Sequence, residues 1–300
     1  VKRHLQRELE AIARDRVSGA AELAGRAATA LIAWLRAGPA RTSDQLLEAA
    51  RIVRDCQPQM APFFRLANEM ALAAGHASPG VDAITRVRRF ARTIRAAKLR
   101  IARHFARALP QGKHLLATYT YSSTVAAALV AARRKILGLY CSESRPKMEG
   151  RRLATELNAA GVHTVFCSDA VLLSVSGLWT HLVLGADTIT PRFLVNKVGS
   201  ALLSKAAQER RATAWILADT LKFVPSNQFA HSEVSHAADE DRSLWPGAPD
   251  GILRLPTGLE SFPLHPSMRF VTEHGVWSLS GVRRFLKAIP LSTRIETFVN

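Results

Sequence analysis

Apolar positions recur at helical spacing through the first third of the chain and then shorten into strand-length runs with helices between them. Leu5, Leu9 and Ile12 share one helical face. DRVSGAAELAGRAATALIAWLRAG reads as a break followed by an amphipathic helix, N-capped by Ser18, with Glu22 in its first turn and Gly38-Pro39 at its end. Thr42 or Ser43 caps a third helix, SDQLLEAARIVRDC, which stops before Pro58; QPQMAPFF reads as a turn, and Arg65 to Ala74 as helix again. The last and longest helix covers Asp82 to Leu109. Ile84, Val87, Phe90, Ile94, Ile101 and Phe105 line one side, and nine basic residues from Arg86 to Arg107 fill the remainder. That pattern predicts a solvated face on a core helix, with docking of an acidic protein or RNA as the alternative. Nothing before residue 110 reads as a strand, so residues 1–109 form a helical domain.

From Gln111 the period changes. HLLATYT, KILGLYC, VHTVFCSD, HLVLGAD and TAWILAD read as strands, separated by helices of crossover length. This predicts βαβ units and an α/β domain with a parallel sheet over residues 110–300. Right-handed crossovers put every carboxyl end on one rim. Those ends read Thr120-Tyr121-Ser122-Ser123, Cys141 to Arg145, Cys167-Ser168-Asp169, Asp187 and Asp219. Ligands of open α/β sheets bind outside such ends. In HLVLGADTITPRFLVNKVGS the strand breaks at Gly185 and exposes Asp187; a loop then brings Asn196 and Lys197 to the start of a helix. Taken singly, Asp187 caps a turn and Lys197 is solvated; together with the other strand ends they face a pocket. Ser226 to Leu255 is polar and broken and reads as an exposed loop. MRFVTEHGV is a late strand ending at Glu273, followed by the short helix SLSGVRRFLKAI. No GxGxxG follows the first strand and no Walker A lysine occurs, which argues against standard dinucleotide and P-loop sites.

Composition narrows the setting. The 300 residues are 48% hydrophobic and 22% charged, which supplies ample core. No apolar run is long enough for a membrane span, and VKRHLQRELE lacks the apolar centre of a secretory signal. Cys56, Cys141 and Cys167 have no metal spacing and are odd in number, so the expectation is a cytoplasmic protein with free thiols, no metal and no cofactor. The net charge of +17 attracts polyanions, although no zinc-finger, RNP or basic-zipper pattern accompanies it.

Several pieces in fixed order carry a resemblance: SGAAELAGRAA, TYTYSSTV, ESRPKMEGRRLATEL, GADTIT with NKVGS, DTLKFVP and VTEHGV. The chain resembles, from about Val17 to Val276, the superfamily that joins the alpha, beta and delta regulatory subunits of translation initiation factor 2B to isomerases of methylthioribose 1-phosphate and ribose 1,5-bisphosphate. The resemblance implies a helical domain followed by a Rossmann-like domain, a phosphate-binding cleft between them, and self-association. It makes Arg145 a phosphate ligand, as the guanidinium fork suits phosphate oxygens. Ser122, Ser123 and Thr124 would offer hydroxyls and amides at a helix N-terminus. Gly19 and Ala20 match a segment that approaches the ligand, and Asn196 and Lys197 would close the pocket.

The isomerases use a cysteine after the first strand and the aspartate of GAD, since moving a proton between adjacent carbons needs an acid and a base in a dry pocket. Asp187 is present here, but Thr120 stands where the cysteine would be, and threonine has neither its acidity nor its nucleophilicity. Ser18 replaces the arginine ahead of Gly19-Ala20, with Arg16 close by, and Pro191-Arg192-Phe193 replaces the usual Asn-Gly after GAD. The expected function is binding of a phosphorylated sugar or nucleotide without the cysteine-dependent isomerisation. The alternatives are an aldose–ketose isomerase using Asp187 with Cys141, Cys167 or water, and a translation- or RNA-associated subunit. Asp169 and Asp219 are candidate orienting residues, and Lys222 has a counterpart in the family.

Overall fold

The computed structural model describes residues 2–15, 18–37, 40–58, 60–225, 244–254 and 258–296. Arg16, the Gly38-Pro39 helix end and most of the Ser226 to Leu255 loop lie outside the described residues. The chain forms two compact units, one of Val1–Ala97, Asp219–Pro225 and Phe285–Asn300, the other of Lys98–Ala218 and Ser226–Arg284.

Five helices begin the chain: α1 (Lys2–Arg14), α2 (Ala20–Arg36), α3 (Ser43–Cys56), α4 (Ala61–Ala73) and α5 (Pro79–Ala108). Leu5, Leu9 and Ile12 are all buried, as their spacing requires. Thr42 closes a capping box with Gln45 at the start of α3. Gly19, not Ser18, is the N-cap of α2: the Ser18 amide is held by Asp15 Oδ1 at 2.9 Å, and the helix starts one residue later. α4 starts at Ala61 rather than Arg65, because Pro62 fits the first helical turn. This helix is buried almost throughout, and its polar members hold returning segments of chain. Arg65 donates to the Phe223 carbonyl (2.8 Å); Asn68 donates to the Pro290 carbonyl (2.9 Å) and accepts from the Ser292 amide (3.0 Å).

The second unit carries β1 (His114–Thr118), α6 (Ser123–Ala132), β2 (Ile136–Ser142), α7 (Glu149–Ala159), β3 (Thr164–Cys167), α8 (Asp169–Ser174), β4 (His181–Leu184), β5 (Thr188–Ile189), β6 (Phe193–Lys197), α9 (Ser200–Glu209), β7 (Thr213–Leu217), β8 (Leu259–Pro263), β9 (Arg269–Thr272) and β10 (Gly275–Trp277); α10 (Leu279–Ala288) and α11 (Thr293–Glu296) follow. The main sheet has the order β10-β9-β7-β4-β1-β2-β3 and is parallel except for β10. The late strand therefore divides: β9 turns at Glu273-His274 and returns as β10, with Gly275 supplying a φ of +126°.

A further segment differs from the sequence reading. Asn196 and Lys197 lie in a strand, not in a loop. β5 and β6 form a hairpin, and β8 adds to it, pairing Asn196 with Glu260 and Lys197 with Leu259 in a small antiparallel sheet. Pairing with a segment more than sixty residues away outweighs the weak local signal.

Candidate functional site

β1 lies between β4 and β2, so the chain's progress across the sheet reverses there. The crevice at such a switch point is where open α/β sheets hold ligands. Thr118 Oγ1 donates to the Val183 carbonyl at 2.9 Å and fastens β1 to β4. Beyond it Thr120 is nearly buried at a φ of +52°, a left-handed conformation that costs a β-branched residue on the order of 1–3 kcal/mol. The turn delivers Ser122 to the N-cap of α6, where its hydroxyl accepts from the Val125 amide. Gly185 sits directly against it. A Cβ there would lie 3.1 Å from Ser122 Oγ, so glycine lets the loop after β4 approach the start of α6.

The loop after β2 is fixed from three sides. Gly150 packs on the Ser142 carbonyl so closely that any side chain would collide with backbone. Ser144 adopts a φ of +58°, and the Arg145–Pro146 peptide is cis. Both oxygens of Asp169 are engaged: Oδ1 accepts from the Ser144 amide (2.8 Å) and Oδ2 from the Arg145 amide (2.9 Å). Asp169 thus orients the loop, leaving the Arg145 side chain exposed and without a partner among the described residues. Ser144 Oγ donates to Glu149 Oε2 (3.2 Å), and Glu149 Oε1 lies 3.8 Å from Lys197 Nζ.

Lys197 and Asn196 are buried, with Asn196 donating to Ser200 Oγ at 2.9 Å. Between them and α9 stands Gly199 at a φ of +105°, where a Cβ would lie 2.7 Å from the Tyr119 hydroxyl. Tyr119 donates to the Val198 carbonyl at 2.7 Å. Burial, reinforced by Asp169, Glu260 and Glu149, pushes its phenol well above the ordinary range and keeps the proton in place. Glu260 Oε1 accepts from the Gly199 and Ala201 amides at 2.8 and 2.7 Å, so a carboxylate of this chain already fills the N-terminus of α9.

Ser122, Ser123, Thr124, Thr120, Arg145, Asp187, Asn196 and Lys197 all belong to the second unit, on or beside the carboxyl rim of its sheet. Asp187 is half-buried, and its amide donates to the Val195 carbonyl. Gly19 and Ala20 belong to the first unit, at the start of α2. Asp219 also belongs there and caps a 3-10 turn through the Leu221 amide, with Lys222 buried in that turn. Cys141 is buried, and its thiol is pushed up to about 12 by burial and by Cys167; Cys167 is raised by burial, Asp169 and Glu143. Neither thiol is activated. Sequence reasoning missed Tyr119, Glu149 and Glu260, whose roles depend on partners distant in sequence. Among the described residues no cluster of His, Cys, Asp and Glu could hold a metal.

The sequence matches the Initiation factor 2 subunit family over residues 9–249. It is 29% identical over 233 residues to a Pyrococcus abyssi protein described as eIF-2B subunit 2-like, covering 76% of this chain and 82% of that one. It is 26% identical over 245 residues to the ribose 1,5-bisphosphate isomerase of Archaeoglobus fulgidus, covering 80% and 77%. A chain of the tetrameric eIF2B-beta2-delta2 complex from C. thermophilum has the same fold, with a TM-score of 0.73 at 20% identity over 94% of this chain and 93% of that one.

Proposed function

The chain belongs to the Initiation factor 2 subunit family, and from that premise we propose that its second unit binds a phosphorylated sugar or nucleotide at the β1/β4 switch point without cysteine-dependent isomerisation. The observation that carries this reading is the division at the rim. Anion-handling groups are arranged there, with the exposed Arg145 held by Asp169 and hydroxyls at the start of α6, while Thr120 occupies the place of a reactive thiol. Cys141 and Cys167 do not replace it, because burial raises both. A thermal-shift screen of sugar phosphates and nucleoside monophosphates tests the proposal. A bound compound raises the melting temperature by mass action, and Arg145→Ala abolishes the shift. No shift in the wild type, or an equal shift in the variant, rejects it.

The half-buried carboxyl of Asp187 at the same switch point favours a second reading, an aldose–ketose isomerase in which Asp187 moves the proton with water as its partner. Turnover of a pentose phosphate that disappears in Asp187→Asn would establish that reading over the first.

The protein works as a homo-oligomer in this proposal. β3 is an edge strand carrying exposed Val165 and Phe166, and exposed Val171 and Leu178 follow in chain order. An open edge with large apolar side chains is stable in water when a second copy covers it. Phe166→Glu should shift the protein to monomer in sedimentation. The free thiols suit a reducing, cytoplasmic setting, and among the described residues no helix is long and apolar enough to cross a membrane.

A further inference from the structure

Between Ala83 and Ser142 the chain contains thirteen Lys and Arg residues and no Asp or Glu, so this one stretch supplies thirteen of the seventeen net positive charges. Most of them lie on α5. Arg100, Arg103 and Arg107 follow at i, i+3 and i+7 on one exposed face, and none has a partner among the described residues. Lys135 Nζ donates to the Ala106 and Leu109 carbonyls at 2.9 and 2.7 Å, which ties the turn of Arg133, Arg134 and Lys135 to the C-terminal end of α5. Exposed Arg133 and Arg134 thereby join the charges of the last turns.

We propose that this face of α5, with Arg133 and Arg134, binds the phosphate backbone of a double-stranded nucleic acid. A face whose purpose is solubility mixes both signs, whereas unopposed charges held this close repel one another and are stabilised by a polyanion. Arginine supplies nearly all of them, and its planar fork meets phosphate oxygens in pairs. From Lys98 to Arg107 the helix rises about 14 Å, a length over which a duplex presents on the order of eight phosphates. A protein partner fits less well. Protein interfaces have an apolar centre, and from Lys98 to Arg107 the one large apolar side chain in the open is Leu99. The absence of base-reading elements along this face points to sequence-independent contact.

The test is fluorescence anisotropy with 20-base-pair RNA and DNA duplexes over a salt series. If about five phosphates are contacted, log Kd changes with log salt with a slope near 4–5. Arg103→Glu with Arg107→Glu should weaken binding at least about tenfold and lower the slope by about 2, while Arg284→Glu with Lys287→Glu, the same charge change elsewhere, should have little effect. Preference between the RNA and DNA arms identifies the duplex. Arg103→Gln with Arg107→Gln repeats the comparison if the reversal unfolds the protein. Absence of wild-type binding overturns the proposal, and so does an equal loss in both charge-reversal pairs. Binding of poly-glutamate as tight as that of either duplex overturns it in favour of an acidic protein. Because the sugar-phosphate screen uses none of these side chains, its outcome is independent of this one.

Discussion

The N-termini of α6 and α9 belong to the same unit and are finished in opposite ways. At α9 a glycine takes the left-handed position, and a carboxylate from the distant strand β8 accepts from two of the first amides. At α6 a threonine takes a left-handed position just upstream, and a single hydroxyl meets one amide at 3.4 Å. One helix end is a closed structural joint. The other keeps strained backbone and spare donors, features that persist where the surrounding structure serves a ligand. That contrast adds to the division at the rim from which the function above is proposed.

The contrast can be broken most forcefully at α9. Gly199→Ala combines a positive φ with a collision against Tyr119, and should cost about 4 kcal/mol in urea unfolding or prevent folding altogether. A near-wild-type midpoint would show that this joint is not closed.

The platform beneath both helices is tested by pH. His181 opens β4, where Trp215 Nε1 donates to its Nδ1 at 3.3 Å, and burial with His114 alongside lowers its pKa to about 4. The folded state thus requires the neutral ring, while the unfolded chain takes up the proton near pH 6.5. This contribution is complete above pH 6.5, declines as pH falls towards 4 and changes no further below that, for a total of about 3 kcal/mol. His181→Gln should lack this part of the pH dependence when its unfolding free energy is subtracted from that of the wild type at pH 7 and pH 4.5.

Two smaller effects sharpen the comparison. Glu260→Ala should lose about 2 kcal/mol by leaving the start of α9 without its acceptor. Sulfate should then stabilise the variant more than the wild type, because an external anion enters the vacated place; equal stabilisation would contradict the assigned role. Thr120→Gly should raise stability by about 1 kcal/mol by relieving the left-handed residue. Loss of stability instead would mean that the threonine side chain contributes packing greater than its strain.

Much of this arrangement is legible in the sequence because it is written locally. The stripe of Leu5, Leu9 and Ile12, the capping box of Thr42 with Gln45 and the alternation of strands with helices each depend on neighbours a few residues apart. The rim residues are legible for the same reason, since each follows a strand. The β5–β6–β8 sheet is not: β5 has two residues, and β8 lies beyond a long polar segment. Glu260 carries no local mark of its role, as its two partners are about sixty residues earlier. Asp169 is visible as a rim acid, but its two-oxygen grip on the Arg145 loop depends on the parallel pairing of β2 with β3.

The buried Asn68 imposes an order on synthesis. Its amide meets Pro290 and Ser292, and Arg65 on the same helix meets Phe223. A ribosome delivers α4 more than two hundred residues before both partners of Asn68 exist. The helical unit is therefore begun first and finished last, and until residue 292 emerges, the side chain at 68 must stay hydrated or be shielded by something else.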